Sequence, residues 1–222
     1  MARKSGTPGI SGAPRASGPP QRRGSWLLVA LALLAGILLV RNAASHAGEG
    51  PPQPEPGAAR LGTTTPPADP LARSVPRRVR IPELRVDAPL TRVGLDAEGW
   101  LDAPPPTERN LAGWFGGAVT PGERGTAVID GHVDNAAGRA VFYGLGALKK
   151  GQHIEVDRAD GRTAVFEIHG IEVAPKQNFP ARRVYGDTGL PELRVITCGG
   201  TFSKRSGYAG NVVLYGLLTD VR

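Results

Sequence analysis

The feature that most constrains folding is the uneven distribution of proline and glycine. The chain has 21 prolines and 31 glycines in 222 residues, and residues 1–25 and 42–74 hold many of them. Seven prolines fall in 42–74, where they disfavour both helix and sheet. This stretch is therefore predicted to be a disordered linker. The fold must be built from residues 75–222, a length that suffices for one hydrophobic core.

An uncharged apolar run, WLLVALALLAGILLV, occupies residues 26–40. Fifteen helical residues span ~22 Å, so flanking arginines must snorkel for this run to cross a bilayer. We predict a transmembrane signal-anchor over 26–41. A signal peptide cleaved near Ser45-His46-Ala47 and a buried core helix are the alternatives.

The basic charge is concentrated ahead of this run. Six of the 27 basic residues and none of the 20 acidic ones precede residue 42, so the rest of the chain is nearly neutral. A basic tail before an apolar run indicates membrane topology and not nucleic-acid binding. We expect residues 1–25 in the cytoplasm and residues 75–222 outside the cell, on a single-pass membrane protein.

The remaining sequence reads as short strands with few helices. Asp160-Gly161 predicts a two-residue hairpin turn. One helix is predicted over 140–148, where Val141, Leu145 and Leu148 recur at helical spacing. Seven or eight short strands in this length predict a mainly β fold, a closed β-barrel. The clearest predicted strands are 79–81, 86–93, 125–129, 154–157, 163–173, 193–197 and 211–218.

The single cysteine, Cys198, excludes an internal disulfide, and the lack of a second cysteine argues against a zinc site. The sequence VITCGG places its thiol where an apolar strand is predicted to run out into glycines, which favours an accessible side chain. The alternative is a small buried hydrophobe.

A reactive thiol needs a base. Of the four histidines, His132 repeats the context of Cys198, because it follows the predicted strand 125–129 beside a glycine. His46 lies in the predicted linker and His153 begins a strand. His169 shares a predicted strand face with Glu167 and is therefore predicted to lie on the surface. His132 is therefore the candidate base.

The segments GHVD (131–134) and ITCGG (196–200) resemble the two signature segments of sortases, and are most similar to the short actinobacterial type called class F. The resemblance covers 79–218. It implies an eight-stranded β-barrel in which Cys198 is the nucleophile, His132 is the acid/base and Thr197 is the substrate-binding threonine. It also implies cleavage of an LPXTG-like sorting signal on exported proteins and transfer to a cell-wall amine through a thioester.

The family also implies an arginine oxyanion partner, usually on the last strand, where Asn211 lies here. Arg205, in the predicted connection 199–210, is our candidate. The alternatives are Arg182, Arg183 and Arg194. Some sortases bind calcium near the loop before the cysteine strand. Residues 177–183 contain no acid, so neither a metal nor another cofactor is expected.

Other functions remain open at this point. An L,D-transpeptidase places its cysteine after Ser-His-Gly, whereas Cys198 follows Val-Ile-Thr. A papain-like hydrolase places cysteine before histidine and at a helix start. The non-enzymatic alternative is a wall-tethered β-barrel binding module with a buried cysteine.

Overall fold

A computed structural model describes residues 29–37, 50–63 and 65–222. Residues 29–37 are helical and belong to a unit separate from residues 48–222. None of the helices in these ranges combines the length and apolar character that crossing a bilayer requires. The predicted tail 1–25 and residues 26–28 and 38–41 of the predicted anchor lie outside the described residues.

The strands are β1 (Pro76–Ile81), β2 (Val86–Val93), β3 (Ala112–Phe115), β4 (Gly125–Asp130), β5 (Asp134–Asn135), β6 (Gly138–Arg139), β7 (His153–Arg158), β8 (Thr163–Pro175), β9 (Pro191–Ser203) and β10 (Gly207–Val221). Eight of them close into a barrel, as predicted, in the order β1-β2-β3-β4-β9-β10-β8-β7. A separate two-stranded hairpin, β5–β6, follows β4. Apart from the helical residues 29–37, the described helices are two 3-10 turns, Pro82–Leu84 and Leu145–Ala147, and one α-helix, Ala181–Tyr185.

Apolar and β-branched side chains from opposite sides of the barrel fill its centre. Residues such as Val79, Ile129, Phe166 and Leu214 are fully buried there. Gly161 has a φ of 82° in the predicted turn between β7 and β8, a conformation that glycine adopts without strain. The predicted helix 140–148 is reduced to the 3-10 turn Leu145–Ala147, although its apolar residues are buried as the pattern indicates.

The neighbouring strands β4 and β9 of the barrel are parallel. Six pairs run from Gly125 opposite Pro191 to Asp130 opposite Ile196. Parallel strands are usually buried on both faces, and β4 is almost continuously apolar.

The prediction that a strand ends at Cys198 is wrong. β9 continues to Ser203 and pairs with β10, so the predicted connection 199–210 is a hairpin with its turn at residues 204–206. Gly199 and Gly200 prolong the strand because glycine tolerates the bulge between the Gly199–Gly210 and Phe202–Tyr208 pairs. Gly200 has a φ of 78° there.

Part of the predicted linker packs on the barrel. Thr63 and Thr65 donate hydrogen bonds to the carboxylate of Glu167 at 2.7 and 2.6 Å. Leu61 lies over Gly170, where a Cβ would stand 2.4 Å from the leucine side chain. Prolines remove the backbone hydrogen bonds of helices and sheets, but threonine hydroxyls bond to Glu167 and Leu61 packs where Gly170 has no side chain. Residues 50–63 and 65–74 therefore pack on the barrel and are not disordered.

Candidate active site

The two candidate catalytic residues meet because the β4–β9 register aligns them. Every pair in this ladder joins residues 66 apart, and the same separation links His132 to Cys198. Each lies two residues beyond the last pair, Asp130–Ile196. Neighbouring strands lie only ~4.8 Å apart, so the two side chains reach the same rim of the barrel.

Two hydrogen bonds extend this register past the end of β4. The amide of Gly131 donates to the carbonyl of Ile196 at 3.2 Å. The buried Thr197 hydroxyl donates to the carbonyl of Gly131 at 2.8 Å. Gly131 cannot carry a side chain, because a Cβ would stand 2.8 Å from Val141 and Phe142. The hydrogen bond from Thr197 to Gly131 therefore joins the strand that carries Cys198 to the turn that carries His132.

The half-buried His132 ring is held by the loop between β2 and β3. Its Nε2 lies 2.8 Å from the carbonyl oxygen of Pro104. A carbonyl oxygen can only accept, so Nε2 carries the hydrogen. That leaves Nδ1 as the nitrogen able to take up a proton.

A second contact fixes the same turn from the other side. The Tyr208 hydroxyl of β10 donates to a carboxylate oxygen of Asp134 at 2.5 Å. Burial and this hydrogen bond raise the pKa of Tyr208 above its usual range. The last residue of the GHVD segment thus anchors it to the hairpin that carries the cysteine.

The Cys198 thiol is half-exposed and opens into a cavity of about 450 Å³. Its Sγ lies 3.8 Å from the Nζ of Lys176. A second, more apolar cavity of about 550 Å³ adjoins the first. Both are lined by Trp100, Leu101, Lys176, Phe179 and Tyr185. The two together form a groove with apolar walls that leads to the thiol.

Asp130 is the acidic residue that lines the cavity of the Cys198 thiol. Burial, and to a lesser extent the charge of Asp102, raises the pKa of Asp130 to about 8. Its Oδ1 is buried without a hydrogen-bond partner among the described residues. The carboxyl is therefore mostly protonated at neutral pH and adds little negative charge beside the thiol.

The sortase domain family matches residues 79–219, well over half of the chain. The chain belongs to the sortase family. Members of this family are cysteine transpeptidases. No match is found among curated proteins.

Solved sortase structures share the fold. Sortase C-1 from Actinomyces oris is 21% identical, with a TM-score of 0.50 over 65% of this chain and 71% of that one. Sortase C1 from Streptococcus agalactiae is 18% identical, with a TM-score of 0.51 over 65% and 67%. Sortase A from Corynebacterium diphtheriae is 19% identical, with a TM-score of 0.49 over 67% of this chain. The match spans only 62% of that chain.

The arginines considered from the sequence lie elsewhere in the sortase domain. Arg205 is exposed in the turn at the tip of the β9–β10 hairpin, where its amide bonds Ser203. Arg194 is buried, bonded to Glu192 and to the carbonyl of Val184. The described lining of the thiol cavity includes neither of them, nor Arg182 or Arg183.

The other histidines occupy different surroundings. His153 is exposed at the start of β7. The expectation that His169 lies on the surface is wrong. It is buried, with Nε2 3.4 Å from Glu192 and its ring edge-on to Tyr215. The pairing of β8 with β10 shifts register at this point, which moves the residue off the simple alternation. His46 lies outside the described residues.

The described residues contain no cluster of three histidine, cysteine or acidic side chains suited to a metal ion. Two residues of the site went unnoticed in the sequence. Asp130 ends β4 and Lys176 follows the end of β8, and neither stands in an unusual pattern. Asp134 belongs to the GHVD segment, which was the available signal for it.

Proposed function

We propose that this chain is a cysteine transpeptidase that cleaves an LPXTG-like sorting signal on exported proteins. It then transfers the acyl group to an amine of the cell wall. The observation that carries this proposal is the constant offset of 66 residues between β4 and β9, which His132 and Cys198 share as they line one cavity. Family membership supports the reaction class.

The chemistry follows from the two side chains. Nδ1 of His132 takes the thiol proton, and the Cys198 sulfur attacks the carbonyl carbon between threonine and glycine of the signal. The tetrahedral intermediate collapses to a thioester as the imidazolium gives its proton to the departing amine. An acceptor amine, or water more slowly, then releases the acyl group and restores the thiol.

The groove has walls suited to an extended apolar peptide. Phe179, Tyr185, Trp100 and Leu101 flank the approach to the thiol. We propose that the residues preceding the scissile bond lie along these walls. The Thr197 hydroxyl already donates a hydrogen bond to the carbonyl of Gly131. Thr197 therefore affects substrate binding by fixing the geometry of the rim.

We further propose that the domain works outside the cell, tethered by residues 26–41, and that it is of the class F type. The basic residues before the apolar run support this orientation. External protease on intact cells should release a fragment that begins within 42–74. Release only after lysis would contradict this topology.

The activity test combines a fluorogenic LPXTG-type peptide with an amine acceptor such as triglycine. We expect cleavage and a ligated product from residues 50–222, and neither from the Cys198→Ala variant. The alternative of a non-catalytic binding module predicts peptide binding without product. It also predicts a thiol that resists alkylation, whereas the half-exposed Cys198 should react readily.

A further inference from the structure

The proposed reaction creates a negative charge on the substrate, and the arginines predicted to stabilise it are not in the described lining of the thiol cavity. When sulfur attacks, the carbonyl oxygen becomes an oxyanion, and one well-placed donor typically contributes ~10²–10³ in rate. Arg205 lies at the hairpin tip and Arg194 in a buried ion pair. The donor must be sought among the residues that line the cavity.

One cationic side chain stands beside the thiol. Among the described residues lining this cavity, Lys176 is the only lysine or arginine, and its Nζ lies 3.8 Å from Sγ. The oxyanion forms two bonds from that sulfur. A donor at this distance from Sγ can therefore come within the ~2.7–3.1 Å that oxyanion stabilisation requires.

Three neighbouring strands bring Lys176 to this place. Cys198 of β9 pairs with Asn211 of β10, and Asn211 pairs with Ala174 of β8. Paired residues share a face, and residue i+2 returns to that face, so Lys176 lies on the side of the thiol. Its amide donates to the carbonyl of Ala209 at 3.0 Å, which fixes the backbone just after β8 ends.

The ammonium is also free to serve the reaction. No carboxylate of the described residues lies within ion-pair distance of Lys176. The acid that shares the cavity, Asp130, is mostly protonated at neutral pH because burial raises its pKa to about 8. The positive charge beside Cys198 is thus uncompensated.

We propose that Lys176 is a catalytic residue that donates an Nζ hydrogen to the oxyanion formed on attack by Cys198. As the C–S bond forms, the carbonyl π electrons move to oxygen beside the ammonium. They return when the C–N bond breaks, and His132 protonates the amine. Lys176 keeps its proton throughout. This inference rests on the proposed transpeptidase function.

The test compares Lys176→Met with Lys204→Met, which removes the same charge from the exposed turn between β9 and β10. Single-turnover acylation by a sorting peptide should fall by ~10²–10³ in Lys176→Met and change less than twofold in Lys204→Met. Iodoacetamide alkylation of Cys198 should stay within about threefold in both, because the lysine acts on the oxygen. Lys176→Arg should recover most of the rate, since it restores a charged donor.

Three results would overturn the inference: near-normal acylation in Lys176→Met, an equal loss in Lys204→Met, or an alkylation rate that falls as much as acylation. A large loss in Arg205→Ala with none in Lys176→Met would return the role to the arginine. If the unmodified chain forms no acyl-enzyme while its thiol alkylates readily, the proposed function itself fails.

Discussion

The two neighbours of β9 differ in how they position the candidate site residues. The β4 side brings them together, and the β10 side carries one of them away. On one side, the parallel pairing with β4 holds a constant separation and carries it two residues further to His132 and Cys198. On the other side, β9 and β10 continue as a hairpin, which takes Arg205 to an exposed tip. The five residues of strand from Cys198 to Ser203 span up to ~17 Å before the turn begins, so closeness in sequence becomes distance in space.

This contrast teaches that a site is assembled by strand register more than by loop proximity. The β4–β9 rim concentrates the groups that the chemistry needs, and the hairpin extension carries groups away from it. Lys176 follows β8, the next strand beyond β10, yet its Nζ lies 3.8 Å from the Cys198 sulfur, whereas the described lining of the thiol cavity includes no residue of the turn 204–206.

The largest effect is expected from Cys198→Ala. Without the sulfur no thioester can form, so peptide cleavage should fall below a tenth of the unmodified rate and towards the limit of detection. The half-exposed position should let the variant fold with a normal circular dichroism spectrum. Substantial cleavage by a pure, folded variant would place the nucleophile elsewhere.

His132→Ala should lower kcat by at least ~10²-fold, the usual contribution of a general acid/base. His153→Ala serves as the control, because its side chain is exposed on β7 and should have a mild effect. A steady-state comparison of the two purified variants decides the matter. A larger loss in His153→Ala than in His132→Ala would break the proposed pairing across β4 and β9.

Thr197→Val tests the bond that joins the two halves of the rim. It removes the hydroxyl that donates to Gly131 and should lower the free energy of unfolding by ~1–3 kcal/mol. Because the bond positions the turn before His132, kcat should fall about tenfold, in line with the cost of misplaced groups. Thr163→Val removes a hydroxyl bond to Asp157 far from the rim and should leave kcat unchanged. Normal kcat in Thr197→Val would show that the rim keeps its geometry without this bond.

The smallest effect concerns pH and stability. Because burial raises the pKa of Asp130 from 3.8 to about 8, the folded state keeps a proton that the unfolded state has lost over that window. Stability from this group therefore falls as pH rises from 4 to 8. Asp130→Asn should flatten that decline, so the Tm of the variant relative to the unmodified protein should rise between pH 5 and pH 8.

Asp160→Asn provides the matched control for that experiment. Although burial opposes the effect, hydrogen bonds from Arg158 and Arg162 hold the pKa of Asp160 below its usual range. Its carboxylate is ionised in both states above pH 5, so this variant should show no change in slope between pH 5 and pH 8. Equal slopes in all three proteins would mean that Asp130 ionises normally.

Much of the fold was accessible from the sequence for a physical reason. Buried strands need β-branched and apolar runs, and turns need glycine at positive φ, so the barrel and the turn at Gly161 were predicted correctly. Cys198 and His132 were singled out because each follows an apolar strand beside glycine. Their meeting depends on parallel pairing, which the structure provides.

The remainder depends on contacts that leave no local pattern. Gly199 and Gly200 suggested the end of a strand, yet glycine also permits the bulge that prolongs it. The proline-rich residues 50–63 form short turns, such as the one closed by the amide of Ala58 donating to the carbonyl of Glu55, and find further partners on β8. Lys176 reaches the thiol only through the lateral order of β8, β10 and β9, which no spacing in the chain reveals.

The most direct test of the central claim is mass spectrometry of the acyl-enzyme. Residues 50–222 are mixed with a sorting peptide without an acceptor amine, quenched in acid and digested. We expect the mass of the acyl fragment, less water, on the peptide that contains Cys198. In His132→Ala the same species should accumulate slowly. Acylation of any other residue, or an unmodified Cys198 beside cleaved peptide, would contradict the account.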